Sequence, residues 1–90
     1  MFNNCCDMKF IHFMTTIGYE AFYCCINLTS VVIGDSVTTI GNYAFYDCTN
    51  LTSITFNGTV EEWNAIEKEN YWNVLLPATK VVCLDGEVAL

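Results

Sequence analysis

The chain has 90 residues, 53% of them hydrophobic and 14% charged, and three basic against ten acidic side chains give a formal charge of −7. That size suits one compact domain, the apolar content excludes a disordered tail, and the charge sets aside nucleic acid and anionic lipid surfaces as partners. No run of about 18 apolar residues exists to insert across a bilayer, and the opening residues lack the basic start, apolar segment and small-residue cleavage site of a secretory signal.

Taken in chain order, the sequence is a set of near-copies. Residues 15–37 overlie residues 38–60 without a gap, with 13 of 23 positions identical, which marks a repeat architecture. Phe2, Cys5, Met8, Ile11 and Phe13 stand where Phe22, Cys25, Leu28, Val31 and Ile33 stand later, so residues 1–14 read as a partial first repeat. Residues 15–37 and 38–60 read as full repeats, and 61–90 as a C-terminal cap. Within a copy, Leu28, Val31 and Ile33 (then Leu51, Ile54 and Phe56) end in the in-out alternation of a strand. Ile40, Ala44 and Cys48 recur every four residues, with Phe45 alongside, and predict about two turns of tight helix entered through bends at Gly18 and Gly41.

The cap segment opens with "TVEE", which places Thr59 as a helix N-cap and Glu62 at the third helical position, a capping box. Val60, Trp63 and Ile66 form a three-spaced apolar stripe that seals the last coil, and Trp72 joins it. "TKVVCLD" from Thr79 echoes "TSVVIGD" from Thr29 and predicts a fourth strand. A tight turn centred on Asp85-Gly86 then allows a short hairpin strand through Val88. A 23-residue unit cannot close a core alone, but coils stacked at about 4.8 Å bury one another's apolar rows.

The stretch "IGNYAFYDCTNLTSITF" resembles the BspA-like, or Treponema-type, leucine-rich repeat, because Ile40, Gly41, Ala44, Phe45, Cys48, Leu51, Ile54 and Phe56 fall on its consensus positions. The tail, with Gly58-Thr59, Glu62-Trp63 and Cys83-Leu84-Asp85-Gly86, is similar to the ending such arrays carry. The resemblance implies a short α/β leucine-rich-repeat solenoid. Its parts would be a parallel sheet of about four strands, helical or irregular returns, and a C-terminal capping helix plus hairpin. It also implies a non-enzymatic module of a bacterial surface or secreted protein that binds a host or matrix protein or a glycan in adhesion. A purely structural scaffold, or the terminal cap of a longer array, is the alternative. Two departures stand out: "GDSV" and "NGTV" replace the proline frequent before the next coil, and no N-terminal cap precedes Phe2. An open apolar first coil would favour end-to-end self-association.

The chemistry-bearing residues read mainly as structure. Cys5, Cys25 and Cys48 share one inward position and are expected as packed thiols, with Cys6 and Cys24 exposed. The doublets Cys5-Cys6 and Cys24-Cys25 point to opposite sides and lack zinc spacing, so no metal or other cofactor is expected. His12 sits at an outward strand position with no thiol aimed at its face, and Glu61 and Glu62 serve the helix start, so no catalytic residue is expected. Asn27, Asn50 and Asn57 head glycosylation sequons, of which the first two recur with the repeat as turn residues.

Binding is expected on the outward sheet face, in three rows. They are Lys9, Thr29, Thr52 and Thr79; Phe10, Ser30, Ser53 and Lys80; and His12, Val32, Thr55 and Val82. Hydroxyl and β-branched side chains in such rows suit a protein or glycan partner, although β-branched residues suit strands in any case.

Overall fold

A computed structural model describes residues 9–11 and 14–90. Phe2, Cys5, Cys6, Met8, His12 and Phe13 lie outside the described residues, as does the open end expected of the first coil. In chain order the elements are β1 (Phe10–Ile11), β2 (Thr16–Ile17), β3 (Ser30–Ile33), β4 (Thr39–Ile40), β5 (Ser53–Phe56), α1 (Val60–Ala65), β6 (Glu67–Lys68), β7 (Lys80–Cys83) and β8 (Gly86–Ala89). Among the described residues they form a five-stranded sheet, β1-β3-β5-β7-β8, and a three-stranded sheet, β2-β4-β6. Every pairing is parallel except that of β7 with β8. The fold is therefore a short solenoid of about three turns.

The repeat period becomes spatial register. Val31 lies beside Ile54, Ile54 beside Val81, and Ile17 beside Ile40, so each inward residue meets its counterpart one coil away. Phe22 stacks on Phe45 at 4.8 Å between ring centroids, in an apolar column that continues edge-on to Trp72. Leu28 and Leu51, Val31 and Ile54, and Ile33 and Phe56 are all buried. Burying each such side chain contributes about 1.5–3 kcal/mol, which a single coil, open on both sides, does not collect.

The returns differ from the helix the four-residue spacing predicts. Residues 19–24 and 42–47 are consecutive turns. Ala21, Tyr23 and Cys25 donate backbone N–H groups to the carbonyls three residues back, whereas Glu20, Phe22 and Cys24 donate across to Asn42, Ala44 and Tyr46 of the next coil. Alternate amides thus bond between coils, which an α-helix forbids because it uses every N–H internally. The geometry puts Glu20, Cys24, Tyr43, Asp47, Tyr71 and Leu75 at positive φ, at four-residue intervals within each coil. Neither Gly18 nor Gly41 takes positive φ. Gly41 is small for another reason: a Cβ there would stand 3.0 Å from the Tyr19 nitrogen and 3.1 Å from the Gly18 carbonyl carbon. Ile40, read as part of the helix, instead pairs in the second sheet, which the sequence reading did not anticipate.

Two further registers are corrected. β1 is shifted by two residues from expectation, so Phe10 lies beside Val32 and Ile11 beside Ile33. A two-residue slip keeps Ile11 inward and Phe10 outward, so the alternation alone did not distinguish the registers. The final hairpin turns at Leu84-Asp85, one residue earlier than expected, because Cys83 pairs with Gly86. That position lets the Asp85 carboxylate accept the Val60 N–H at 2.8 Å, tying the turn to the start of α1.

The capping box at α1 is present: Thr59 Oγ1 accepts the Glu62 N–H at 3.1 Å and Glu62 Oε1 accepts the Thr59 N–H at 2.9 Å. Trp63 is buried between Phe56 and Trp72. Residues 67–75 then continue both ladders, with Glu67 and Glu69 donating to Thr38 and Ile40, and Phe45 and Asp47 donating to Trp72 and Val74. At the inward position of β6, Lys68 takes the place of Ile17 and Ile40. Its Nζ donates to the Trp63 and Ile66 carbonyls at 2.8 and 3.0 Å and lies 4.7 Å from the Trp63 ring centroid. Those are carbonyls at the end of α1, where a cation is favoured. Burial lowers the Lys68 pKa below the usual lysine value.

Candidate functional site

The outward face of the five-stranded sheet is built by strand alternation. Ser30 aligns with Ser53, and Val32 with Thr55 and then Val82. Phe10, not His12, begins the latter row, so Phe10, Val32, Thr55 and Val82 run across four strands. Phe10, Thr29, Thr52, Ser53, Lys80 and Val82 are exposed, and Ser30, Val32 and Thr55 are half-buried. Lys9 is exposed, and its carbonyl accepts the Val32 N–H at 2.7 Å. His12 falls outside the described residues.

The antiparallel β8 adds a residue the sequence reading did not place there. Glu87 lies beside Val82 and its Oε2 receives Lys80 Nζ at 3.0 Å. Both side chains are exposed, so the pair contributes at most about 1 kcal/mol. Two threonines of the repeat turn their hydroxyls to the neighbouring coil, with Thr38 Oγ1 donating to the Thr15 carbonyl at 3.2 Å and Thr52 Oγ1 to the Thr29 carbonyl at 3.4 Å. Asn50 of the second sequon likewise donates through Nδ2 to the Ile26 carbonyl of the preceding coil at 2.6 Å, a bond between coils rather than within its own turn.

A second exposed surface lies on the return turns, and the rows read from the sequence missed it. Tyr23 stacks on Tyr46 at 5.4 Å and Tyr43 on Tyr71 at 5.5 Å, while Tyr43 meets Tyr46 and Tyr19 edge-on at 5.2 and 6.1 Å. The recurrence of Tyr23 as Tyr46 was the available signal. Glu20, beside Tyr19, raises the pKa of that phenol by its negative charge, with burial adding to the effect.

The cysteines divide. Cys48 is a buried free thiol whose Sγ donates to the Phe22 carbonyl one coil back at 2.8 Å, and burial pushes its pKa up to about 11. Cys25 at the equivalent position is disulfide-bonded, which corrects the expectation of a packed thiol. Cys24 is an exposed free thiol 3.5 Å from Asp47 Oδ2; its pKa is raised by desolvation and by that carboxylate. Among the described residues, no three His, Cys, Asp or Glu side chains group to hold a metal ion, and no helix is long and apolar enough to cross a membrane. A groove of about 190 Å³ between α1 and the loop before β4 is lined by Asp35, Val37, Thr38, Glu62, Ala65 and Ile66. It is smaller than the ~300–1,000 Å³ of a typical small-molecule site.

The family model described as "BspA type Leucine rich repeat region (6 copies)" matches residues 1–79. No curated protein and no solved structure matches the chain. The match spans the stacked coils from β1 to the residue before β7, and the chain belongs to the BspA-type leucine-rich repeat family.

Proposed function

We propose that the chain is a non-enzymatic recognition module of a bacterial surface or secreted protein. It holds a protein partner, from host or matrix, or a glycan, on the outward face of the five-stranded sheet. The observation that carries this reading is the register of β3, β5 and β7, which sets Val32, Thr55 and Val82 in one row and Ser30 beside Ser53 in another. Strand pairing forms such a platform before a partner arrives, which lowers the ordering cost of binding. Membership of a repeat family of the kind used for protein interaction supports it, and the disulfide at Cys25 suits an oxidising compartment. The test is a panel of immobilised matrix proteins and glycans. Binding that falls at least tenfold in the Thr29→Ala, Thr52→Ala and Thr55→Ala variants supports the reading, and a panel on which no binding depends on those residues refutes it.

A second reading, that the coils are scaffold alone, is favoured by the coil-to-coil hydrogen bonds of the Thr38 and Thr52 hydroxyls. In that case the same substitutions lower stability and change no binding.

A further inference from the structure

We propose that the tyrosine surface on the return turns is a second docking face, built for an arginine-bearing basic segment of a partner protein. All five tyrosines of the chain meet there, drawn from three successive coils, with Tyr43 as the hub that touches Tyr19, Tyr46 and Tyr71. They are not core: Tyr19 is 61% exposed, Tyr71 56% and Tyr23 40%, while the phenylalanines of the same turns, Phe22 and Phe45, are buried. The rings are already ordered by stacking on one another, so a partner meets large apolar area at low entropic cost.

The charge around the rings selects the partner. Glu20 and Asp47 lie on the same turns, and the Glu69 carboxylate accepts the Asn42 N–H at 3.1 Å beside Tyr43. Glu20, next to Tyr19 in the chain, raises the pKa of that phenol by its negative charge. The chain has three cationic side chains besides His12, and they lie on other elements. Lys68 is held by carbonyls over Trp63, Lys80 by Glu87, and Lys9 stands beside β1. A guanidinium is attracted by the negative face of a ring and pairs bidentately with a carboxylate, and this surface offers both. A proline-rich or glycan ligand would use the rings but make no use of the negative charge beside them, and an anionic ligand would be repelled by it.

The experiment titrates the full chain with an oligoarginine peptide, an oligolysine peptide of equal length and a polyproline peptide. It follows tyrosine ring proton shifts and binding heat at low and at physiological salt. The expected result is that oligoarginine binds more tightly than oligolysine and shifts the ring signals of Tyr19, Tyr43 and Tyr71. The pair Tyr19→Ala and Tyr71→Ala then weakens binding about tenfold, on two exposed cation–π contacts. Glu20→Gln with Asp47→Asn weakens it and flattens its salt dependence. The pair Tyr19→Phe and Tyr71→Phe keeps the π faces and keeps the binding, so the proposal is decided even where the alanine pair does not fold. Equal binding of oligoarginine and oligolysine without ring shifts means diffuse attraction to a chain of charge −7, and overturns the proposal. So does preference for polyproline, or no binding to any of the three.

Discussion

Replacing Gly41 with alanine sets a methyl group against the backbone of the preceding coil, and the equivalent replacement of Gly18 provides the control. The two glycines occupy the same repeat position and neither takes positive φ, so alanine is conformationally allowed at both. They differ in what a Cβ would meet. At Gly41 it stands 3.0 Å from the Tyr19 nitrogen, 3.1 Å from the Gly18 carbonyl carbon and 3.2 Å from the Ile17 oxygen; at Gly18 it meets nothing among the described residues within 4 Å. Since those neighbours are backbone, relief requires the coils to separate, and the Gly41 N–H bond to Ile17 O, at 2.7 Å, stretches with them.

Alanine at either site stiffens the unfolded chain and stabilises by about 0.4–1 kcal/mol, while overpacking costs about 1–3 kcal/mol. Gly18→Ala should therefore be neutral to slightly stabilising, and Gly41→Ala destabilising, with a gap between them of about 1–3 kcal/mol. The unfolded-state contribution is common to both and cancels. In urea denaturation followed by circular dichroism the gap appears in the midpoints with equal slopes, and on heating as about 4–8 °C per kcal/mol. Variants that agree within about 0.3 kcal/mol, or a worse effect at Gly18, would refute close stacking as the reason for the glycine.

Thr59→Ala should cost about 1 kcal/mol by removing the hydroxyl that accepts the Glu62 N–H, and Thr59→Ser should retain most of it; equal losses in urea midpoint would count against the cap. Burial raises the Cys48 thiol from 9.0 to about 11, so the fold favours the protonated form. The stability this contributes is complete below pH 9 and declines as pH rises through about 11, and Cys48→Ser should flatten that decline in urea midpoints. In native alkylation followed by mass spectrometry, exposed Cys24 should react well before buried Cys48. Leu75, at φ 67 and 58% exposed, should tolerate glycine with a gain of about 0.5–1 kcal/mol, because relief of the left-handed strain exceeds the added unfolded-state entropy; a loss in thermal midpoint would contradict this.

The solenoid and its inward rows are determined by the amino-acid sequence alone. A 23-residue near-identity forces equivalent residues to stack, and the in-out alternation after Leu28 and Leu51 assigns Val31, Ile33, Ile54 and Phe56 to the core and Ser30, Val32, Ser53 and Thr55 to the outward face. The capping box at Thr59 was legible for the same reason, since its partners are three residues apart. What depends on contacts between coils was decided only by the tertiary structure. The four-residue spacing of Ile40, Ala44 and Cys48 fits a helix as well as successive turns, and the amides of Phe22 and Cys24 reaching Ala44 and Tyr46 select the turns. The period-two pattern leaves a two-residue slip open in β1, and pairing with β3 closes it. Cys25 and Cys48 are the same repeat position, yet one is disulfide-bonded and the other donates a thiol hydrogen bond to the Phe22 carbonyl, a difference that identical repeat positions do not foretell. The tyrosine face is the clearest case: Tyr19 and Tyr71 fall off the exact repeat, and only the stacking of three coils brings them to Tyr43.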